Sequence, residues 1–574
     1  ILMLHGILFG GTTGKLSGTL IDKETGEPLI GCNIIIEDTY LGTSSNEKGE
    51  YALLNIPPNT YSIRFEMIGY KKLVNEGVTI ISDKTTSLNG ELVSSVIAGE
   101  EVVVVAEKKL IQFDVTQSEA IISSEELEGM PVTEVSEVLR LQGGVTVDSD
   151  GGIHMRGGRT SEVSYMVDGV PMSDLYDGGI GVQIENDNIQ ELQVISGTFN
   201  AEYGRALTGV VNMVTKDGGN QFEGSLHTYA GDYQSSDKIY NNLNNLDLED
   251  DYSVSASLSG PILKDKVTFY SSGRVNQSKG WLNGLQTFTI YGDTIFKDQN
   301  NNRYLDGNEE QKDPYYKGLN WHSSWSTQNK VTFNLLKGTT FKINTILNSR
   351  ESQDYNFALQ LLEDAQITNF NRGRFLGLSI SHTLSPTSFL QVNISENKYN
   401  YESYLFEDPL DNRYITPDSL FLARLENRIP DHIIEQYGDQ VQYFPAYSLY
   451  RAGVDNRRFE RETKTNNYKL DFTSQINKYN QVKLGLDFSS HSLMLDTYSL
   501  LDSTLTDQVY TPFIPDKESF TRSYYVRKPT EFAIYAQDKI EYGDMIINLG
   551  LRYESFNPNA KIPNNIHEPY IKDP

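Results

Sequence analysis

The chain has 574 residues, with 77 acidic against 49 basic side chains and a formal charge of −28. So acidic a balance argues against nucleic acid as a partner, because neutralising phosphates needs clustered Lys and Arg. A single Cys excludes a disulfide framework and a cysteine-based zinc site. Mean hydropathy is −0.43, and no run approaches the ~18 apolar residues of a spanning helix, so helical membrane spans are excluded. Yet 35 Tyr and 24 Phe are many aromatics for so polar a chain.

Residues 1–13 carry ILMLHGILFGG, a short apolar stretch followed by small residues. It reads as the remainder of a secretory signal, with a frayed first strand as the alternative. Leu29–Cys32 imitates a lipoprotein cleavage site, but Asp22, Lys23, Glu24 and Glu27 stand where an apolar stretch should be. Cys32 is therefore expected to be a small buried residue. Across residues 14–98, β-rich runs (LSGTLID, LIGCNIIIED, YALLNI, YSIRFEMIGY) alternate with turns (KETGEP, SNEKGE, PPNT). That spacing predicts a small β-sandwich. The stretch resembles the carboxypeptidase regulatory-like domain at Gly18, Thr25–Gly31, Gly42-Thr43, Gly49, Pro57 and Gly69-Tyr70. The resemblance implies a transthyretin-like sandwich that is an accessory and has no peptidase activity.

Residues 99–109 contain EEVVVVAEKK, a β-branched run between charged ends. Such a run joins a sheet edge by main-chain hydrogen bonds, or is a buried strand of a neighbouring domain. Residues 110–220 are Gly-rich and mixed α/β. Val132, Val135, Val138 and Leu139 have helical spacing. Two alternating strands flank Asp168-Gly169, a pair suited to the φ > 0 positions of a tight hairpin. These stretches resemble the plug domain of TonB-dependent outer-membrane receptors. The motif reads Arg156-Gly157-Gly158, Val167-Asp168-Gly169-Val170-Pro171, Ala201-Glu202-Tyr203-Gly204 and Gly209–Lys216, in the family's order. The resemblance implies that Glu101, Val102, Val103, Val104, Val105 and Ala106 form the TonB box, the segment that pairs with the inner-membrane TonB protein. It also implies that the plug glycines permit turns and close packing. From position alone, Arg156, Arg159 and Arg205 are expected to hold the plug to acidic residues of a barrel wall.

Residues 221–574 read as the N-terminal part of an antiparallel transmembrane β-barrel, which makes the whole chain mainly β. In Asn467–Asn477, Tyr468, Leu470, Phe472 and Ile476 oppose Asn467, Lys469, Asp471, Thr473, Gln475 and Asn477. In Val482–Ser490, Val482, Leu484, Leu486 and Phe488 oppose Lys483, Asp487 and Ser489. A one-residue slip would put every charge in lipid, so the register is fixed. Strands are predicted at 222–230, 251–260, 267–277, 321–334, 340–350, 373–384, 389–402, 462–477, 481–495, 531–541 and 545–556, joined alternately by short and long connections. A barrel whose two rims face different compartments has that alternation. Eleven strands are odd in number and half of the ~22 of a plugged transporter, so a fragment is expected.

Asp298–Glu309 resembles an EF-hand-type calcium loop, with Asp298, Asn300, Asn302, the Tyr304 carbonyl, Asp306 and Glu309 at the ligand positions. Arg303 stands where such loops have Gly, and a solvated polar loop tip is the competing reading. No other cofactor is expected. His432 and Glu435 have the spacing of a zinc pair, with distant His567 as the one further candidate ligand. The favoured function is TonB-driven uptake of a bulky nutrient such as an iron chelate or glycan. Its expected partners are TonB, outer-membrane lipid, an extracellular ligand and a surface lipoprotein. Adhesion or signalling on the same scaffold is the alternative, and a zinc carboxypeptidase the remote one.

Overall fold

The computed structural model describes residues 13–39, 41–95, 101–105, 119–130, 132, 134–148, 151–197, 199–237, 240–243, 246–290, 315–414, 449–450, 453–502, 512–542 and 545–560. Strands dominate, in three bodies.

The first is a sandwich. One sheet holds Glu50–Ile56, Gly14–Asp22, Thr85–Ser87 and Gly90–Leu92. The facing sheet runs Gly42–Ser44, Asn33–Ile36, Asn59–Glu66, Lys72–Ile80 and Glu101–Val105. Alternate residues from both sheets meet in a core of Leu16, Leu20, Ile34, Ile36, Ile56, Ile63 and Phe65, all fully buried. Cys32 belongs to that core. The thiol's pKa is pushed up to about 11, first by burial, so it is an inert packing group. In the turn before it, the Asp22 carboxylate accepts from the Glu24 and Thr25 amides at 2.7 and 2.9 Å and from the Tyr70 hydroxyl at 2.8 Å.

The second body is the plug. Its sheet runs Glu119–Ser123, Ile189–Ile195, Gly209–Thr215, Val163–Val167 and Val170–Pro171. One pair, Val163–Val167 with Gly209–Thr215, is parallel. Two short helices, Ser124–Glu128 and Val135–Arg140, cover it. The first is capped by Ser123 and Glu126 in a reciprocal capping box. The second buries Val135, Val138 and Leu139 of the predicted helical stripe, whereas Val132, its first position, lies before the helix.

The third body is one twelve-stranded antiparallel sheet. Its main path is Glu223–Gly231, Asp251–Leu263, Val267–Ser278, His322–Leu336, Thr339–Ser352, Thr368–Ser385, Ser388–Tyr404, Arg457–Gln475, Asn480–Ser499, Thr530–Tyr542 and Met545–Asn557. Each predicted strand is present, and the alternation in connection length holds throughout. The sheet faces are as the two-residue period requires. In Arg457–Gln475 the buried, inward positions are Arg461, Thr463, Thr465, Asn467, Lys469, Asp471, Thr473 and Gln475, while Tyr468 points out and is 47% exposed. Trp325, Ile343, Leu376, Ile394 and Phe488 extend that outward apolar band. Ring pairs lie towards both rims: Tyr479 with Tyr542 at 5.1 Å, and Phe370 with Tyr404 at 4.7 Å. Aromatic girdles at the two membrane interfaces have this arrangement.

Two features go beyond the predicted elements. Arg522–Arg527, inside a predicted long loop, pairs with the far end of Asn480–Ser499. That strand is 20 residues long, about twice the ~9–11 that cross a bilayer, and its surplus end offers a sheet edge beyond the membrane. The long loops also share an apolar cluster of Ile290, Leu359, Leu362, Ala365, Tyr414, Val454 and Leu500. The first and last strands of the path each pair on one side only among the described residues.

Candidate functional site

Most ion pairs of the seam between plug and wall share one polarity. Plug acids meet wall bases. The Asp168 and Asp217 carboxylates face Lys330 at 3.3 and 3.2 Å, and Asp217 also pairs with Lys342. Glu185 pairs with Arg274 at 2.8 Å, Glu202 with Lys483 at 2.6 Å, and Asp174 and Asp177 with Arg461 at 2.9 and 2.6 Å. Single hydrogen bonds fill in between. Asn397 donates to the Pro171 carbonyl at 2.9 Å, Ser255 to Asp187 at 2.8 Å, and Lys469 to the Gly169 carbonyl at 3.3 Å. Burial pushes the Asp217 carboxyl up, but Lys330 and Lys342 outweigh it and hold the group below the usual carboxylate range.

This corrects the expectation that plug arginines grip an acidic wall. Arg205 does so, pairing with Glu531 and approaching His491 at 3.4 Å. Arg156 instead lies against Gly197 within the plug, and the Arg159 amide donates to Glu162 in a local turn. The plug turns that bear acids project towards the wall, whereas Arg156 and Arg159 are exposed on the segment between Ile153–Met155 and Val163–Val167.

The motif residues are where the local geometry demands them. Asp168 (φ 47°) and Gly169 (φ 77°) form the tight turn between Val163–Val167 and Val170–Pro171. The Asp168 carboxylate accepts from the Thr215 amide and hydroxyl at 2.9 and 2.8 Å and from Asn344 at 3.0 Å. One side chain thus joins the turn, the next plug strand and the wall. Gly157 adopts φ 79° beside Arg156 at φ 49°. A Cβ on Gly158 would lie 2.2 Å from Thr208, one on Gly209 2.0 Å from the Met155 sulfur, and one on Gly204 2.4 Å from Arg552 and Glu554. Tyr203 is buried, and its hydroxyl donates to Asp83 of the sandwich at 3.4 Å.

At the long-loop end, Arg461 clamps the plug apex. Besides its two carboxylate partners it stacks on Tyr176, Tyr399 and Tyr401 at 4.6, 5.3 and 5.6 Å from the ring centres. Burial raises the Asp174 pKa, with Arg461 opposing. Above the clamp opens a cleft of about 950 Å³, lined in part by Tyr176, Asn369, Tyr401, Phe459, Tyr498 and Phe520. Sequence reasoning missed the wall cations. Their one signal was a Lys or Arg at an inward position of an alternating strand, as with Lys330 between Asn329 and Val331.

Of the expected TonB box, Glu101–Val105 is an edge strand of the sandwich, parallel to Lys72–Glu76. Val102, Val103 and Val104 are exposed. Ala106 lies outside the described residues, as do the whole loop Asp298–Glu309 and His432, Glu435 and His567. Among the described residues no cluster of His, Cys, Asp or Glu could hold a metal.

Comparison with known proteins bears on this architecture. Residues 112–211 match the TonB-dependent receptor plug domain, and residues 16–104 match the CarboxypepD_reg-like domain. Residues 112–211 thus carry a plug domain of the TonB-dependent receptor type, and the chain as a whole is similar to TonB-dependent outer-membrane receptors. Among its relatives is the TonB-dependent transporter Oar of Myxococcus xanthus, 24% identical over 47% of this chain and 28% of Oar. Another is the probable siderophore receptor PirA of Acinetobacter baumannii, 26% identical over 31% of this chain and 25% of PirA. The fold is similar to the outer-membrane transporter YddB from Escherichia coli, with TM-score 0.52 and 11% identity over 76% of this chain and 56% of YddB. It is also similar to the ferripyoverdine receptor of Pseudomonas aeruginosa, with TM-score 0.51 and 13% identity over 78% and 52% of the two chains. The chain thus spans about half the length of those solved structures and about a quarter of the two curated relatives it matches. Those relatives are named as a transporter and a receptor.

Proposed function

We propose that this receptor imports a bulky nutrient across the outer membrane, with the plug displaced by force that TonB applies at Glu101–Ala106. The observation that carries this reading is the chemistry of the seam. Ion pairs and hydrogen bonds make up much of the hold between plug and wall, beside an apolar contact of Ile346 and Phe375 with the plug core. Water can take over each of those polar partners as the plug moves, so the apolar surface exposed on opening is confined to the patch around Ile346 and Phe375. Recognition of TonB by strand addition suits the β-branched run. Its second edge carries no partner strand among the described residues. The cleft beside Tyr176 lies where a ligand would touch plug apex and loops together.

The test is uptake in cells with and without TonB, using a panel of labelled ferric siderophores and oligosaccharides. Import of at least one compound class should require both TonB and Glu101–Ala106. Import that survives deletion of Glu101–Ala106 would sink the energised-transport reading.

A further inference from the structure

The sandwich does more than sit beside the plug. Its loop Ser82–Lys84 is driven between plug and wall. The Ser82 amide donates to the Glu191 carboxylate of the plug at 3.3 Å. Asp83 accepts from Lys483 of the wall at 3.1 Å and from Tyr203 of the plug at 3.4 Å. Lys84 pairs with Glu119, on the first strand of the plug. Ser82 and Lys84 are buried at 1% and 8% exposure, so this is a built contact rather than a graze. The loop is shaped for the task. Asp83 has φ 56°, a conformation that Asp tolerates, and its amide is held by the Thr13 carbonyl at 3.1 Å.

Lys483 is the joint of the arrangement, because it binds Asp83 of the sandwich and Glu202 of the plug at once. Around it the sandwich rests on the short-turn rim. Lys15 and Thr85 contact Glu541, each at 2.7 Å, and Asn55 donates to Ser381 at 2.7 Å. The strand Glu101–Val105 lies on the chain between this sandwich and the plug and is hydrogen-bonded along the sandwich edge. Its register runs from Lys72↔Glu101 to Glu76↔Val105. Force applied to the strand therefore reaches the sandwich through a whole row of backbone bonds.

We propose that the sandwich is a force-bearing latch: Ser82–Lys84 fastens it to plug and wall, and a pull on the Glu101–Val105 edge strand withdraws the latch before the plug can move. The proposal rests on the reading that TonB pulls at this strand. The test replaces TonB by a chemical handle, so the two ideas fail separately.

The full receptor, with Cys32→Ala to remove its one thiol, is held in a lipid nanodisc and pulled through a linker on Val103→Cys. The expected trace has a first rupture, sandwich from plug and wall, followed by plug unfolding. Asp83→Asn with Lys84→Met should speed the first rupture at least tenfold and leave plug unfolding unchanged. Glu50→Gln, at the exposed contact with Lys478, should change neither event. Hydrogen exchange at rest checks that the latch variant is folded: Ser82–Lys84 should lose protection while Gly14–Asp22 keeps it. An unchanged first rupture in a folded latch variant would overturn the proposal. So would a wild-type trace in which the strand peels from Lys72–Glu76 with the sandwich still seated.

Discussion

Lys330→Met tests the polarity of the seam most directly. The Lys330 ammonium is almost wholly buried. It lies 3.3 Å from Asp168, 3.2 Å from Asp217, and 3.0 and 2.9 Å from the Thr215 carbonyl and hydroxyl. Methionine keeps much of the volume and removes the charge. Breaking a buried pair by deleting one partner costs about 3–5 kcal/mol, because the other charge stays buried. The lower end applies here. Asp217 keeps Lys342, and Asp168 keeps Thr215 and Asn344. A loss of about 3 kcal/mol corresponds to roughly a hundredfold rise in local opening. The assay is amide hydrogen exchange of Gly209–Thr215 in detergent micelles. Adding Asp168→Asn should restore most of the protection, since the neutral amide leaves no stranded charge. If Lys330→Met left protection unchanged, or the double variant were as open as the single, the ion pairs would not be what seats the plug.

Gly209→Ala should destabilise the plug by about 1–3 kcal/mol, because its Cβ meets the fully buried Met155 sulfur, and Met155→Ala should recover part of that loss in the same denaturation assay. Glu191 has its pKa pushed up to about 7, chiefly by burial, against an ordinary value of 4.5. A raised carboxyl pKa stabilises the protonated folded form, so its contribution is full below about pH 4.5 and is lost as pH rises through 7. Plug stability should therefore fall from pH 5 to pH 8, and Glu191→Gln should flatten that slope in a denaturant titration. We further propose that Asp298–Glu309 binds calcium and stiffens its outer loop. Calcium should then protect the loop from protease and a chelator should remove the protection; equal cleavage in both would assign a solvated polar loop.

What the sequence determined by itself is whatever depends on neighbours along the chain. Alternation at every second residue put Tyr468 and Phe488 towards lipid and Lys469 and Lys483 into the lumen, because one register alone keeps charge out of the bilayer. Connection lengths gave the two rims, and Asp168-Gly169 announced its own turn. The seam was not legible in this way. Lys330 meets Thr215 across 115 residues, and Lys469 meets the Gly169 carbonyl across 300. No local period encodes such partners, so the arginines of the plug looked like its grip when the wall supplies most of the cations. The same holds for Glu101–Val105 and Ser82–Lys84. A β-branched run says that a strand will pair, and a polar loop says that a turn will form. Only the packing of sandwich, plug and wall decided that the strand lies along Lys72–Glu76 and that the loop is buried between the other two bodies.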